Sequence, residues 1–343
     1  MKILLIGGTK FLGRHLVEAA LAREHEVTLF NRGKYSSENF EKVEQIRGNR
    51  HSDLEKLAGR GFDAVIDTCG YLPQSVKQSA EFLKAAVGQY VFISSVSAYA
   101  DFSNPDFDET APLAELTGEQ QKKADAVELT GDIPAYALGE MYGALKAQCE
   151  RAAESAMPNR VLNVRSGLIV GAFDPTDRFT YWVTRVARGG RVLAPGSPHR
   201  FVQFVDVRDL SEWIVGMIER GAAGIYNVTG KPFALTMEKM LAEIKAATGS
   251  DARFVWAGEE FLERENVAPW SEMPLYLPES DAESKGFLSA NIDRALKTGL
   301  SFRPLGDTIR ETFRWRQTVE GDLKAGISAE RESELLAKMP EQS

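Results

Sequence analysis

Short apolar runs alternate with amphipathic stretches through the first half of this chain of 343 residues. A buried strand reads as a continuous apolar run, whereas an amphipathic helix repeats its apolar residues every three or four positions. On this pattern we predict strands at Lys2–Ile6, Glu26–Phe30, Ala64–Asp67, Tyr90–Ser94 and Val161–Arg165. Between them we predict helices at Phe11–Arg23, Ser52–Leu57, Gln74–Ala86 and Leu138–Ser155.

This alternation is typical of an α/β fold with a doubly wound parallel sheet that is covered on both faces. After Gly167 the pattern is less regular, and it predicts helices at Phe179–Ala187, Asp209–Arg220 and Met237–Thr248, a short strand at Val192–Leu193 and an ordered loop at Trp270–Pro278. We therefore expect a dinucleotide-binding domain in residues 1–166 with an insertion at 101–134. A smaller, mixed substrate-binding lobe follows in 167–327, with strands and helices that return to the core. A polar tail, 328–343, is expected to form a loosely attached helix.

Charge and cysteine content narrow the classes of function. The formal net charge is −8, which argues against a general nucleic-acid or anionic-membrane surface. The two cysteines, Cys69 and Cys149, lack the spacing of a disulfide framework or a zinc site. The chain begins directly with a predicted strand, and no apolar run approaches the length of a membrane span. We expect a cytoplasmic protein without a bound metal.

The first predicted strand leads through Gly7-Gly8-Thr9 into a helix. Such a turn gathers backbone N–H groups and a helix N-terminus where a pyrophosphate can bind. The glycine fingerprint has Gly7 at the tight turn, Lys10 in the middle place and Gly13 where the helix packs on the strand. The expected cofactor contacts in this segment are Gly7, Thr9, Lys10, Phe11, Leu12 and Gly13. A strand–turn–helix without any ligand is the alternative.

The end of the second strand bears on the choice of cofactor. An acidic residue there would hydrogen-bond the ribose of NAD, but this chain has Asn31 followed by Arg32. A guanidinium can pair with a 2′-phosphate, so NADP is favoured over NAD, which stays possible. In the alternative, Asn31 holds the ribose hydroxyls and Arg32 faces solvent. Further expected cofactor contacts, mostly at the ends of later strands, are Asn49, Thr68, Cys69, Gly70 and Ser94.

Tyr142 and Lys146 are spaced i and i+4 in a predicted helix, so their side chains share one face. A phenol is normally too weak an acid for proton transfer at neutral pH. A neighbouring ammonium and a cationic nicotinamide ring would stabilise the phenolate. The pair is therefore a candidate proton-transfer device.

Together these motifs resemble the extended short-chain dehydrogenase/reductase superfamily, in particular its NAD(P)-dependent epimerase/dehydratase group. The resemblance runs from Met1 to about Gly230 and is carried by GGTKFLG, SSVSAY, YGALK, VRSGLIVGAFDP, FVQFVDVRDL and YNVTG. The basic residue in the glycine turn is similar to an atypical branch that includes chloroplast stem-loop RNA-binding proteins. The resemblance implies a Rossmann fold in which Ser95 polarises the substrate oxygen, Tyr142 moves the proton and Lys146 holds the cofactor ribose.

Several positions depart from the family pattern. Val202 stands where nucleotide-sugar epimerases carry a phosphate-holding arginine, which counts against a UDP-sugar unless Arg200 substitutes. Leu145 replaces the serine that usually precedes the lysine. The long stretch between Ser95 and Tyr142 contains the acidic insertion, which we interpret as a lid because long loops in compact domains are often functional. A plain surface insertion is the alternative.

The substrate side is less defined by the sequence. Arg178, Tyr181 and Trp182 offer a cation and two aromatic rings for a pocket. Trp182 fits a core position equally well, and Arg178 fits a surface position. Asp206 and Asp209 are expected to have structural roles at the start of the helix from about Val207.

The favoured function is an NAD(P)-dependent oxidoreductase or epimerase that acts at a secondary alcohol or ketone of a small, sugar-like molecule. A dehydratase would need a further acid–base pair, which the sequence does not place. The alternative is a non-catalytic protein that senses the cofactor or binds RNA on the same fold. The expected partners are a small-molecule substrate and, through the helices beside Tyr142, a second copy of the chain; neither a membrane nor nucleic acid is expected.

Overall fold

The computed structural model describes residues 1–34, 40, 43–129 and 135–339. The end of the predicted insertion, 130–134, and the end of the predicted tail, 340–343, lie outside the described residues. The strands in the described part are β1 (Lys2–Ile6), β2 (Glu26–Asn31), β3 (Glu44–Arg47), β4 (Phe62–Asp67), β5 (Val87–Ser95), β6 (Val161–Ser166), β7 (Leu168–Val170), β8 (Arg191–Pro195), β9 (Phe204–Asp206), β10 (Gly224–Val228) and β11 (Arg253–Ala257).

Helices connect these strands and continue after the last strand of the second half of the chain. They are α1 (Phe11–Ala22), α2 (Pro73–Leu83), α3 (Gly118–Asp125), α4 (Tyr142–Ala156), α5 (Arg178–Ala187), α6 (Val207–Glu219), α7 (Met237–Thr248), α8 (Glu259–Arg264), α9 (Asp293–Lys297), α10 (Leu305–Arg316) and α11 (Ala329–Ala337). Short 3₁₀ helices occur at Leu54–Leu57, Val96–Ala98 and Ala135–Met141.

Seven of the described strands form one parallel sheet in the order β10-β6-β5-β4-β1-β2-β3. The chain winds outward from β1 to β3 and then outward in the other direction from β4. The winding reverses between β1 and β4, where Ile6 pairs with Asp67 at the carboxyl ends. Ligands of open α/β sheets bind in the crevice at this reversal. The doubly wound α/β fold predicted from the sequence is confirmed.

Alternate residues of the central strands pack against different helix pairs. Leu5 belongs to a core with α1 and α6, which contains Leu16 and Ile214. Leu4 belongs to a core on the opposite face with α2 and α4, which contains Val76 and Cys149. A strand buried on both faces is apolar at consecutive positions, which explains why these strands were predictable.

The second half of the chain builds its own core around the parallel pair β8 and β11 and the helices α5, α7 and α11. Within the predicted ordered loop Trp270–Pro278, Met273 and Leu275 are buried in this core, so that prediction is confirmed. The prediction of a loosely attached tail is wrong. Leu335 is fully buried, and Glu332 pairs with Arg185 of α5, so α11 is part of the lobe.

Two predicted helices differ from the structure. The helix predicted at Ser52–Leu57 is only the 3₁₀ helix at Leu54–Leu57. The helix predicted to begin at Leu138 begins at Tyr142, because Gly139 adopts φ 49° and ψ −129°, which no α-helix accommodates. Tyr142 is thus the first residue of α4 rather than an interior one.

Candidate active site

The turn after β1 depends on its glycines. Gly7 and Gly8 have φ of 99° and 88°, a region that side chains with a Cβ rarely adopt. A Cβ at Gly13 would lie 2.5 Å from the Cα of Gly8. Gly13 therefore lets α1 approach the turn itself, rather than the strand as the sequence predicted. The arrangement fits the phosphate-holding turn expected at this place.

The N-terminus of α1 lies at the reversal point of the sheet. Its N-cap residue, Lys10, is extended and makes no side-chain cap hydrogen bond, and no acidic residue lies in the first turn. The first backbone N–H groups of a helix lack partners within the helix and carry partial positive charge. Thr9 and Phe11 are half-buried beside this terminus, whereas the side chain of Leu12 packs into the core. Leu12 can contact a cofactor only through its backbone.

The end of β2 offers an unmet hydrogen-bond donor. Asn31 Oδ1 accepts from the backbone N–H of Gly33 at 2.8 Å, while Asn31 Nδ2 is buried without a partner among the described residues. A buried donor of this kind calls for an acceptor, and a ribose hydroxyl or phosphate oxygen would supply one. Arg32 is exposed beside it. The residues at this strand end thus fit the adenosine half of a dinucleotide.

Hydrogen bonds stabilise the neighbouring loops after β3 and β4. Thr68 Oγ1 donates to Ile6 O at 2.9 Å, and Cys69 Sγ lies 3.6 Å from the same oxygen. Burial raises the pKa of the Cys69 thiol, which keeps it neutral. Asn49 Oδ1 accepts from the backbone N–H of His51 at 3.1 Å. Cofactor contacts by Asn49, Thr68 and Cys69 stay predictions.

A buried ion pair supports the end of β4. Arg50 binds Asp67 in a bidentate manner, with N–O distances of 2.8 and 2.7 Å, and Tyr90 donates to the same carboxylate at 2.8 Å. Burial opposes the charge on Asp67, but Arg50 and these hydrogen bonds hold the pKa of its carboxyl below the ordinary value. The ion pair fixes the end of β4 and thereby the start of the loop that contains Cys69 and Gly70.

Lys146 is a buried cation, 4% exposed. Its Nζ donates to Gly70 O at 2.8 Å and to Ile93 O at 2.7 Å, at the ends of β4 and β5. The ammonium lies 4.9 Å from the ring centroid of Tyr71 and 5.9 Å from that of Tyr142. An ammonium has three N–H donors, so one remains for Tyr142 or a ligand after the two carbonyls.

A close contact brings the helix of Tyr142 to the turn after Ser95. A Cβ at Gly143 would lie 1.9 Å from Ser97 O, so only glycine permits this approach. Ser95 caps the 3₁₀ helix Val96–Ala98, where its Oγ accepts from the backbone N–H of Ser97 at 3.1 Å. That hydrogen bond leaves the Ser95 O–H free to donate. Ser95, Tyr142 and Lys146 thus come from adjoining elements at one edge of the sheet.

Ser94 has a different partner from the predicted cofactor. It faces α4 because side chains alternate along β5, and its Oγ donates to Glu150 Oε1 at 2.5 Å. Glu150 in turn pairs with Arg165 at 2.7 Å, and both are buried. The Arg165 guanidinium lies 4.7 Å from the ring centroid of Tyr99. The hydroxyl of Ser94 therefore anchors α4, and a cofactor contact by Ser94 stays a prediction.

The insertion covers one side of this site. Gln148 of α4 donates to Gln121 at 2.8 Å, and Gln74 of α2 donates to Asp125 at 3.3 Å. An apolar cluster joins Leu116, Ala124, Val127 and Leu129 of the insertion to Tyr71, Leu72, Leu145 and Tyr142. This packing favours a lid as the interpretation of the insertion, and it disfavours a plain surface insertion.

The structure corrects part of the predicted substrate pocket. Trp182 is fully buried and donates from Nε1 to Pro274 O at 2.7 Å, and Tyr181 is 3% exposed, so both are core residues. Arg178 is half-buried. Val202 is buried, and its N–H donates to Leu235 O, so this position offers neither a charged side chain nor a free N–H to a phosphate. Arg200 approaches Glu279 at 4.0 Å.

Asp206 and Asp209 both have structural roles, but only Asp206 caps α6 as predicted. Asp206 Oδ1 accepts from the backbone N–H of Arg208 at 2.8 Å and caps α6. Asp209 pairs with Arg303 at 2.6 Å instead of capping the helix.

Sequence reasoning missed three residues that shape the site: Gly143, Tyr71 and Arg50. The glycine directly after Tyr142, inside a helix, was a usable signal, because glycine there needs a packing reason. Tyr71 and Arg50 meet partners remote in sequence, and nothing local indicated them.

Within residues 1–34, 40, 43–129 and 135–339, no group of His, Cys, Asp and Glu side chains is arranged to hold a metal ion. None of the helices in these residues combines the length and apolar character that a membrane crossing requires.

Two known proteins are each similar to more than two thirds of this chain. Chloroplast stem-loop binding protein of 41 kDa b from Arabidopsis thaliana is 24% identical over 68% of this chain, a match that spans 59% of that protein. The N-acetyl-alpha-D-glucosaminyl-diphospho-ditrans,octacis-undecaprenol 4-epimerase of Escherichia coli O157:H7 is 25% identical over 71% of each chain.

Solved structures share the fold. The human epimerase family protein SDR39U1 with NADPH has a TM-score of 0.58 at 20% identity, and the match covers 92% of this chain and 99% of that one. UDP-glucuronic acid 4-epimerase from Bacillus cereus with NAD has a TM-score of 0.64 at 16% identity, covering 93% and 100%. The model of the NAD dependent epimerase/dehydratase family matches residues 3–229. The chain therefore belongs to the NAD dependent epimerase/dehydratase family.

Proposed function

We propose that this enzyme moves hydride between NADP(H) and a secondary alcohol or ketone of a small, sugar-like substrate. The observation that carries the proposal is the meeting of three elements at one edge of the sheet. Lys146 donates to a carbonyl of the loop after β4 and to a carbonyl of β5. Tyr142 lies on the same helix, and Gly143 allows that helix to pack closely against the turn of Ser95.

The side chains divide the proton chemistry between them. The Ser95 hydroxyl donates to the substrate oxygen and orients it. Tyr142 takes the hydroxyl proton during oxidation and returns it during reduction. Lys146 stabilises the phenolate and offers its remaining N–H to the cofactor ribose. A bound nicotinamide supplies or accepts the hydride.

The same groups serve an oxidoreductase and an epimerase. An epimerase results when the ketone turns within the site before hydride returns, with no net redox change. The insertion, packed beside Tyr71 and Tyr142, supports retention of such an intermediate. A nucleotide-sugar substrate is disfavoured, because Val202 is buried where a phosphate-holding arginine would be expected and Arg200 faces Glu279.

NADP is the proposed cofactor because the end of β2 carries no carboxylate. Asn31 Nδ2 offers a buried donor, and Arg32 follows it at the surface. A carboxylate at this place would repel a 2′-phosphate, whereas a guanidinium pairs with one.

Calorimetric titration of NADP⁺, NADPH, NAD⁺ and NADH tests the proposal. We expect tighter binding of the phosphorylated pair in the wild-type protein, weakened roughly tenfold or more by Arg32→Ala. Asn31→Asp should shift the preference toward NAD⁺. Arg23→Ala, which removes an arginine at the opposite end of β2, should change neither. A preference for NAD⁺ that Arg32→Ala leaves unaltered would contradict the NADP assignment.

RNA binding is the second candidate, on the ground of similarity to the stem-loop binding protein. The net charge of −8 argues against it. Titration of a fluorescent RNA stem-loop at several salt concentrations decides the matter, since phosphate contacts release counterions and give a steep salt dependence. Failure of all four dinucleotides to bind, with salt-dependent RNA binding, would replace the enzymatic proposal.

The proposed location is the cytoplasm, and the proposed assembly is a homodimer through the helices beside Tyr142. Sedimentation of the purified protein tests the second point.

A further inference from the structure

Arg178, the first residue of α5, is a half-buried cation with open donors. Its guanidinium carbon lies 5.3 Å from the ring centroid of Trp270. Burial lowers the pKa of Arg178. No residue of the described part of the chain gives this guanidinium a hydrogen bond or an ion pair. Five N–H donors therefore stand on a half-buried group without an acceptor in residues 1–34, 40, 43–129 and 135–339.

Asp174 is the neighbouring acidic group, and it is 2% exposed. Its Oδ1 accepts from the N–H and the O–H of Thr176, each at 2.8 Å. Its Oδ2 is buried and has no partner among the described residues. Burial raises the pKa of Asp174 to about 6, and the charge of Arg178 opposes that rise. A buried polar oxygen without a partner calls for a donor from outside the chain.

The loop that carries Asp174 lies beside the helix of the glycine turn. His15 of α1 shares a hydrogen bond at 3.2 Å with Ala172 O, two residues before Asp174. This contact ties the loop to the element that begins at the candidate phosphate site.

On its other side, Arg178 is linked to the turn of Ser95 by a row of aromatic rings. Trp270 packs edge-on against Phe287, with ring centroids 5.6 Å apart. The row continues through Phe102 of the insertion, at 5.0 Å, then Phe107 and Tyr99, which directly follows the 3₁₀ helix that Ser95 caps. Contacts thus run from the loop of Asp174 to α1, and from Arg178 through these rings to the turn that Ser95 caps.

We propose that Arg178, Trp270 and Asp174 form a subsite for an anionic polyol, a sugar acid or a sugar phosphate. This rests on the proposed function, because it names the substrate class of the same site. The guanidinium of Arg178 binds the carboxylate or phosphate in its planar donor geometry. Asp174 Oδ2 accepts a hydrogen bond from a hydroxyl next to that anion, and Trp270 supports the guanidinium from one face.

The chemistry of Arg178 and Asp174 favours an anionic polyol over a neutral sugar and over an anion without hydroxyls. A neutral sugar would leave the Arg178 donors without a charged acceptor, and a simple anion without hydroxyls would leave Asp174 Oδ2 unpaired. A molecule that carries an anion beside a hydroxyl satisfies both groups at once. Arg200 is a weaker candidate for the anion, because its guanidinium already faces Glu279 at 4.0 Å.

The test is calorimetric titration of D-gluconate, D-glucose 6-phosphate and D-glucose into the full-length protein saturated with NADP⁺. We expect at least one of the two anions to bind roughly tenfold or more tightly than glucose. The tighter of the two then identifies a carboxylate or a phosphate as the recognised group. Arg178→Gln should remove this advantage, and Arg178→Lys should restore part of it. Arg188→Gln, the same charge change at the exposed far end of α5, should leave it intact.

Three results would overturn the subsite. The three compounds bind equally, none of them binds, or Arg178→Gln binds the anions as the wild-type protein does. NADP⁺ titration in the absence of sugar separates this failure from that of the proposed function. Normal cofactor affinity without an anion preference rejects the subsite alone, whereas absence of cofactor binding rejects the proposed function. Normal cofactor affinity also shows that Arg178→Gln is folded.

Discussion

Gly143 packs so closely against Ser97 that a Cβ atom at Gly143 would lie 1.9 Å from the Ser97 carbonyl oxygen. This contact sets the distance between two elements that the proposed chemistry needs together. One is the start of α4, where Tyr142 stands, and the other is the turn that Ser95 caps. The glycine after the tyrosine is therefore as much part of the site as the tyrosine itself.

Gly143→Ala should separate these two elements. The added methyl group cannot share space with a backbone oxygen, so α4 must shift, at a cost of about 1–3 kcal/mol as for other overpacked sites. We expect a lower free energy of unfolding in urea and a loss of dehydrogenase or epimerase turnover larger than the loss of stability explains.

Gly118→Ala is the matched control for that substitution. Gly118 opens α3, and no atom lies within 4 Å of a Cβ built there. Alanine should be neutral or slightly stabilising in a helix. If the two variants have equal free energies of unfolding and equal turnover, α4 can move away from Ser97 without loss of stability or activity.

Lys146→Met should weaken both cofactor binding and the stability of the fold. Methionine fills a similar volume among the rings of Tyr71, Phe92 and Tyr142 but donates no hydrogen bond. Gly70 O and Ile93 O lose their partner, which costs about 1–3 kcal/mol for each oxygen that stays dry. We expect weaker NADP⁺ binding by calorimetry together with a lower free energy of unfolding in urea.

Lys123→Met, on the exposed face of α3, provides the comparison for Lys146→Met. It should change neither quantity. Cofactor affinity that survives Lys146→Met would remove the lysine from the cofactor site.

The sheet was predictable where both of its faces are buried. Leu4 and Leu5 are both fully buried on opposite faces, so the sequence of β1 is continuously apolar. The edge strand β3 reads Glu-Gln-Ile-Arg and is mostly half-buried or exposed, so its apolar pattern is absent. It is a strand only because its backbone pairs with β2. Strand β10, in the second half of the chain, was missed because it pairs with β6 of the first half, and no local pattern indicates that pairing.

The site was predictable to the extent that its residues are close in sequence. The spacing of Tyr142 and Lys146 and the order of the glycines are local signals. The bond from Ser94 to Glu150 and the ion pair of Arg50 and Asp67 join distant segments, so only the fold brings them together. The tail helix was misjudged for the same reason, since its few buried residues find their partners in α5 and β8.

The lid interpretation predicts that α3 can be loosened without unfolding the core. Ala124 is 2% exposed between α3 and the site, and Ala124→Glu would bury an unpaired charge, which costs several kcal/mol unless the helix detaches. We expect faster hydrogen exchange across 116–129 and a higher KM, with little change in exchange of the sheet.

Lys123→Glu adds the same group at the neighbouring exposed position and should leave exchange in α3 unchanged. If Ala124→Glu speeds exchange but turnover and KM stay at wild-type values, the insertion covers the site without taking part in it.

Asp174 should make the stability of the protein depend on pH in an unusual direction. Burial raises its pKa from 3.8 to about 6, so the folded protein holds this proton more tightly than the unfolded chain does. The contribution of this group to the free energy of unfolding therefore falls as pH rises through the interval from 3.8 to about 6, and it stays low above that interval. A shift of this size corresponds to roughly 3 kcal/mol as an upper limit.

Asp174→Asn removes this titration while its Oδ1 can still accept from Thr176. In urea unfolding, the variant should gain about 1–3 kcal/mol relative to the wild-type protein between pH 4 and pH 8. The gain appears between these limits because only the wild-type protein must ionise a buried carboxyl there. A difference between the two proteins that is the same at every pH would mean that Asp174 ionises as readily in the folded protein as in the unfolded chain. Its Oδ2 would then have a partner such as bound water, and the open acceptor of the anion subsite would be lost.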